Sequence, residues 1–299
     1  MRAELAATIL AAAAWAAACS DDGGGVPWDG GDVADLDAPV EGPDAPLDSP
    51  GDVGDAVDHV DDVDCFQDID IVFVIDVSTS MTWVLDELHD EIGAVWAFAE
   101  AISSHPDYDP AFGLVVFVDD VLVTNDGNPY ASSADLQTEF NDWRTFCSSN
   151  SQPAGSSCMN GDCQENSLDA LAAAAEHYAW RPGALHVIIH ATDDTFKESP
   201  QMLCSEMSPT IPVEHTYSQT IDLLVAGEVR VGVFAMHVSP CWTSADTEPG
   251  FFSSWGGQPS IPEATGSRVW DLTQVQSGAI SLTEAIQGFV LEEWCTEFI

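Results

Sequence analysis

The sequence predicts an α/β fold, a doubly wound, mostly parallel sheet with one antiparallel edge strand, preceded by a disordered tether. Three observations predict it. Unbroken apolar runs such as residues 71–75 read as strands buried on both faces, the signature of a parallel sheet. Between these runs lie stretches with apolar residues three or four apart, the period of a helix packed along one side. Two further runs, residues 112–118 and 121–125, are separated only by Asp119 and Asp120, which reads as a hairpin adding an antiparallel strand.

The chain begins with residues 1–19, which carry one cation at Arg2 and an apolar run from Leu5 to Ala18, too short to span a bilayer. This is an export signal. Its end, Ala16-Ala17-Ala18-Cys19, resembles a bacterial lipobox, in which the peptide is cut before the Cys and the Cys is lipidated. Plain signal-peptidase cleavage is the alternative, and both routes lead out of the cytoplasm. Ser20 after Cys19 agrees with a cell-envelope location, at the outer membrane or cell surface.

Residues 20–64 repeat DV, DA, GD and PxD with no Lys or Arg. Such a segment repels itself and has too little apolar surface to offset the entropy of ordering, so it reads as an acidic disordered linker. Over the whole chain 6 Lys and Arg stand against 51 Asp and Glu, a net charge of -45. That charge excludes nucleic acid as a partner and confines any membrane attachment to the lipid anchor. Divalent cations are compatible with it.

Residues 65–299 hold the folded domain. The 71–75 strand is followed by a helix with Leu85, Leu88, Ile92, Val95, Phe98 and Ile102 on one stripe. After the hairpin come a helix at 167–180, a buried strand at 185–192, a helix at 218–227, strands at 229–238 and 267–272, and a closing helix at 281–294. His186 and His190 lie on the buried 185–192 strand and read as core histidines, and Trp83 and Trp96 as helix packing.

In a doubly wound sheet, ligands bind outside the carboxyl ends of the parallel strands. At that end of the first strand stand Asp76, Ser78 and Ser80, and at that end of the 185–192 strand stand Thr192, Asp193 and Asp194. Each has a simpler role available. Ser78 or Ser80 can cap the next helix, Glu165 can be a first-turn acid, and Asp193 can cap a turn. Together they form an oxygen-rich cluster suited to a hard divalent cation, Mg²⁺ or Ca²⁺, with no His or Cys among them.

The pattern D-x-S-x-S after an apolar strand, with T-D after a later one, resembles the von Willebrand factor type A domain and its metal-ion-dependent adhesion site, across residues 65–299. That family usually supplies a Thr before its third helix. Here the segment reads Asn160-Gly161-Asp162-Cys163-Gln164-Glu165, which resembles the N-x-D-x-P-E loop of integrin β-subunits with Gln164 in place of Pro. The resemblance implies Glu165 as the fifth ligand beside Asp76, Ser78, Ser80 and Asp193, and a second ion, Ca²⁺, on Asn160, Asp162 and Glu165. A further adjacent site is not implied, because Thr82, Trp83 and Val84 stand where acids would be needed.

The resemblance also implies a disulfide between Cys65 and Cys295, at the termini of the domain. Cys147, Cys158, Cys163, Cys204 and Cys241 are read as lying in long loops on the metal-bearing side, with Cys204 expected to join Cys241 and one further pair among Cys147, Cys158 and Cys163. The function expected is a non-enzymatic, lipid-anchored module for adhesion or protein binding, which captures a protein or peptide through an exposed carboxylate. Trp242, Phe251, Phe252 and Trp255, in a loop after the 229–238 strand, are the candidates for ligand contact, with a miniature core as their other reading. A metal-dependent hydrolase and a purely structural metal domain are the alternatives. The first lacks any H-E-x-x-H motif or nucleophile elbow.

Overall fold

The computed structural model describes residues 68–102, 109–158, 163–204, 210–240 and 246–294. The export signal with Cys19, the tether and Cys65 lie outside the described residues, as do Asn160, Asp162, Cys241, Trp242 and Cys295.

The amino-terminal part runs β1 (Ile69–Asp76), α1 (Thr82–Ile102), β2 (Pro110–Phe117), β3 (Val121–Val123) and α2 (Ser133–Cys147). Then come β4 (Gln164–Glu165), α3 (Ser167–His177), β5 (Leu185–Thr192) and the two-residue strands β6 (Thr195–Phe196), β7 (Met202–Leu203) and β8 (Ile211–Pro212). The rest adds α4 (Tyr217–Ala226), β9 (Val229–Ala235), the short turns α5 (Glu248–Phe251) and α6 (Ile261–Ala264), then β10 (Val269–Asp271), α7 (Leu272–Gln276) and α8 (Leu282–Trp294).

The main sheet has the order β10-β9-β5-β1-β2-β3. Every pairing in it is parallel except β2 with β3. The fold is therefore a doubly wound, mostly parallel sheet with one antiparallel edge strand, as the apolar runs predict. All 8 residues of β1 are buried, and the reason is period two under helices on both faces. Ile69, Ile71, Phe73 and Ile75 pack with α1, α2 and α8, including Leu88, Ile92, Phe140, Ile286 and Phe289. Val72 and Val74 pack on the other face with Leu168, Leu171, Ile221 and Leu224 of α3 and α4. Packing is close enough to dictate glycine at Gly232, where an added Cβ would stand 2.6 Å from the Phe289 ring.

Successive strands run outward from β1 through β2 to β3, then resume on its other side at β5. The order thus reverses between β1 and β5, and the crevice of such a sheet opens at the carboxyl ends of those two strands. Asp76 closes β1 and Thr192 closes β5.

Sequence reading leaves α2 as loop, and the structure corrects this: Cys147 is the last residue of a helix. Ser132 caps it by accepting from the Asp135 amide, and Leu136, Phe140 and Cys147 are its buried residues. The helix ends beside the 77–81 turn, where Cys147 Sγ donates to the Val77 carbonyl at 3.1 Å. Among the described residues no helix is long and apolar enough to cross a membrane.

Candidate metal centre

The chain leaves β1 at Asp76 and enters a 3-10 turn, Thr79–Met81, before α1. Ser78 occupies the N-cap position of that turn, yet its side chain makes no cap hydrogen bond. The helix-cap role is thereby set aside for this hydroxyl. Asp76 Oδ1 instead accepts the Ser78 amide at 2.7 Å, which bends the backbone so that the hydroxyls of Ser78 and Ser80 meet at 3.1 Å. From the neighbouring strand, Thr192 Oγ1 donates to Asp76 Oδ2 at 2.9 Å, and Ser80 Oγ donates to Asp193 Oδ1 at 3.1 Å. The ends of β1 and β5 are thus tied by side chains as well as by the sheet.

Glu165 arrives on β4, which pairs in parallel with β6, Glu165 opposite Phe196. The β4 backbone is held over the sheet by the Asn166 amide donating to the Val118 carbonyl at 2.8 Å. Asp76, Glu165 and Asp193 are each at most 1% exposed. Asp194, also buried, accepts from Ser239 Oγ, and its amide donates to Thr192 Oγ1 at 3.2 Å.

Burying like charges together is costly, and their titration shows it. Burial pushes the Asp76 carboxyl up to about 6, against the hydrogen bonds from Ser78 and Thr192. Burial, then the charges of Asp76 and Asp194, push Asp193 up to about 8. Glu165 is raised well above the usual carboxylate range by burial, then by Asp76, Asp119, Asp194 and Asp193. The Asp193 Oδ2 atom is buried with no hydrogen-bond partner. A divalent cation answers each of these features, since it neutralises the carboxylates and accepts lone pairs from hydroxyl and carboxylate oxygens. Thr79 and Ser80 are exposed, so the solvent side of this cluster is the Ser80 side.

The structure brings Asp76, Ser78, Ser80 and Asp193 into one hydrogen-bonded cluster, with Glu165 electrostatically coupled to it. Asn160 and Asp162, the residues assigned to a second ion, lie outside the described residues. Sequence reasoning placed Thr192 at this edge without a role and missed Asp119. Thr192 fixes the Asp76 carboxylate, and Asp119, read only as a hairpin separator, is fully buried and repels Glu165. The signal for Asp119 was its place just past β2, at the same edge as Asp76.

The expected cysteine pairing is corrected, and the aromatic candidates take the core reading of the two that the sequence offered. Cys204 is bonded to Cys158, not to Cys241, with Cα atoms 6.1 Å apart, inside the usual disulfide range. The bond ties the 148–158 loop to Cys204, the residue after β7, across a separation of 46 positions. Cys147 is a free buried thiol, while Cys163 is buried and not free. Of the aromatic contact candidates, Phe251 is fully buried against His190 and Phe196, with ring centroids 5.6 and 5.5 Å apart. Trp255 packs on Phe196 at 5.0 Å, and Phe252 stacks on His237 at 3.9 Å. These residues form the miniature core, not a free contact surface. His190 is the core histidine expected. Its Nδ1 faces the Val74 carbonyl at 3.2 Å, and burial pushes its pKa down to about 3, so it is neutral.

No known family profile matches the sequence, and no curated protein matches it. Solved structures with a similar chain trace include an aerotolerance-related membrane protein from Bacteroides fragilis NCTC 9343, at 11% identity and TM-score 0.43, covering 76% of this chain and 98% of that one. The conserved hypothetical protein BatB from Bacteroides thetaiotaomicron gives 12% identity and TM-score 0.43, over 76% of this chain and 100% of that one. Proximal thread matrix protein 1 from the mussel byssus gives 14% and 0.43, over 75% of this chain and 46% of its own. At that distance the likenesses say nothing of what this chain binds. The class rests on the sheet itself: a doubly wound α/β domain with a cluster of buried carboxylates and hydroxyls at its topological switch point.

Proposed function

We propose that this domain is a type A-like adhesion or protein-binding module, which holds one Mg²⁺ or Ca²⁺ on Asp76, Ser78, Ser80, Glu165 and Asp193 and captures a carboxylate of a protein or peptide partner through that ion. The observation that supports it most strongly is the convergence of Asp76, Glu165 and Asp193, all buried, with two hydroxyls and the unpartnered Asp193 Oδ2. Structural carboxylates of this kind are normally paired with a cation. Neutral oxygens from Ser78 and Ser80 leave the ion with residual positive charge, and the exposed Ser80 side offers the position for an incoming carboxylate. The role is binding, not catalysis. An anchor on Cys19 and the acidic linker would present the domain at the cell envelope, at the outer membrane or surface. A second ion, Ca²⁺, on Asn160, Asp162 and Glu165 belongs to the same proposal.

The test uses pairs of peptides that differ only by Asp or Glu against Asn or Gln, panned on the immobilised full chain with saturating Mg²⁺ or Ca²⁺. Acidic members should be retained, released by EDTA, and ignored by Asp76→Ala. Equal retention of acidic and amide members would overturn carboxylate capture.

A further inference from the structure

Behind Glu165 lies a second cluster that the proposed adhesion chemistry does not use. Asp119 follows β2 and is fully buried, and Cys158 and Cys204 are buried beside it. Cys204 Sγ stands 3.0 Å and Cys158 Sγ 3.4 Å from Asp119 Oδ2. One oxygen, Sγ of Cys158 and Sγ of Cys204 all lie within 4.8 Å of one another.

Two side-chain amides support Asp119. Gln152 Oε1 accepts the amides of Asp119 and Asp120, at 2.9 and 3.0 Å, which fixes the side-chain amide orientation. Its NH₂ group is therefore turned to Asp119 Oδ2 at 2.5 Å and to Cys158 Sγ at 3.7 Å. A donor held against a carboxylate and a sulfur is the outer-shell support that metal ligands receive. The Asn166 side chain, donating to the Asp119 carbonyl at 3.0 Å, secures the backbone from the other side. In the disulfide form neither sulfur has a proton to give, so each meets the carboxylate oxygen lone pair to lone pair. A cation between them makes that contact attractive. Tetrahedral zinc with Zn–S near 2.3 Å sets its ligand atoms about 3.5–3.8 Å apart. The sulfur to oxygen distances of 3.0 and 3.4 Å fall short of that by about 0.1–0.5 Å, so the ligand atoms need only spread slightly once the S–S bond is broken.

We propose that Cys158, Cys204 and Asp119 form a thiophilic metal site, alternative to the Cys158–Cys204 disulfide, which takes one Zn²⁺ when the cysteines are reduced. A dithiol donor supplies two electrons and the disulfide gains two protons as its S–S bond breaks. Zn²⁺ then displaces the two thiol protons and binds both thiolates and the Asp119 carboxylate, with solvent completing the tetrahedron. Exchange with an external disulfide, which takes up the two electrons and leaves as a dithiol, re-forms the Cys158–Cys204 bond and releases the ion. This site is distinct in ligands and metal class from the Asp76 cluster, and it stands or falls separately.

The test keeps the full chain reduced with a phosphine under argon and uses Co²⁺ as probe. Wild type should develop a thiolate-to-cobalt charge-transfer band that saturates at one equivalent and that Zn²⁺ abolishes, and Asp76→Ala should develop the same band. Cys204→Ser should lose the band, and Asp119→Asn should weaken binding at least tenfold. In wild type, Zn²⁺ should also protect Cys158 and Cys204 from alkylation, a readout that needs no variant and decides the matter if Cys204→Ser fails to fold. The proposal is overturned if reduced wild type shows no charge-transfer band, if the band survives Cys204→Ser, or if Zn²⁺ gives no protection.

Discussion

Asp70 and Asp76 stand near opposite ends of one strand, and both are fully buried. Around Asp70 the chain places one of its 6 cations. Arg181 donates to Asp70 through Nε at 2.6 Å and through its own amide at 2.6 Å, and its NH2 group reaches the carbonyls of Ile69 and Asp109 at 2.8 Å. Around Asp76 there are hydroxyls, one amide, and the further carboxylates of Glu165, Asp193 and Asp194. The lower edge of the sheet is electrostatically complete within the chain, while the upper edge gathers negative charge. A buried carboxylate without a cation costs several kcal/mol, and among the described residues no Lys or Arg ion pair is seen at Asp76 or Asp193, in contrast to Asp70.

The largest effect is expected at the lower edge. Arg181→Met strips Asp70 of its partner and should cost about 3–5 kcal/mol in denaturant unfolding, a loss relative to wild type that saturating Mg²⁺ or Ca²⁺ leaves unchanged because the ion would stabilise both proteins alike. A loss that shrinks when the ion is added would erase the distinction between the two edges. Neutralising the acids sharpens it. In metal-free protein at pH 8, Asp70→Asn should lose about 2–3 kcal/mol by leaving Arg181 unmatched, whereas Asp76→Asn should be neutral or gain about 1 kcal/mol by removing repulsion. Equal losses would show that Asp76 is an ordinary structural carboxylate.

Titration gives a smaller effect with a definite sign. Asp76 and Asp193 have an ordinary value of 3.8 and are raised in the fold to about 6 and about 8, so the native state holds their protons more tightly than the unfolded chain does. The stabilisation from this preference is complete below about pH 4 and is lost as pH rises through 6 and then 8. The melting midpoint of the metal-free protein should therefore fall between pH 5 and pH 8.5. Saturating Mg²⁺ or Ca²⁺, which bind only the ionised carboxylates, should flatten or reverse the slope. Identical slopes with and without the ion would count against a shared site.

Much of this contrast was legible in the sequence. Continuous apolar runs can only be strands covered on both faces, so β1, β2, β5 and β9 stood out, and with them the edge where Asp76 and Asp193 meet. Helix α2 did not, because only Leu136, Phe140 and Cys147 of its residues are buried and the rest are largely polar. Its Ser132 cap and the spacing of 136, 140 and 147 were the available signals. The Cys158–Cys204 bond was out of reach, since it arises where loops separated by tens of residues fold onto each other. Aromatics between 251 and 255 carried two readings, a miniature core and a contact surface, and the sequence did not decide between them. Composition does not say that Phe196 and Tyr217 come from elsewhere to cover them.

The central claim is that the upper edge binds a divalent cation through Asp76. Calorimetric titration of Mg²⁺ and of Ca²⁺ into metal-free full chain, beside Asp76→Ala at the same pH, tests it most directly. Wild type should take up the ion, and Asp76→Ala, still folded by far-UV circular dichroism, should lose at least one equivalent. Identical uptake by the two proteins, or none by wild type, would contradict the account.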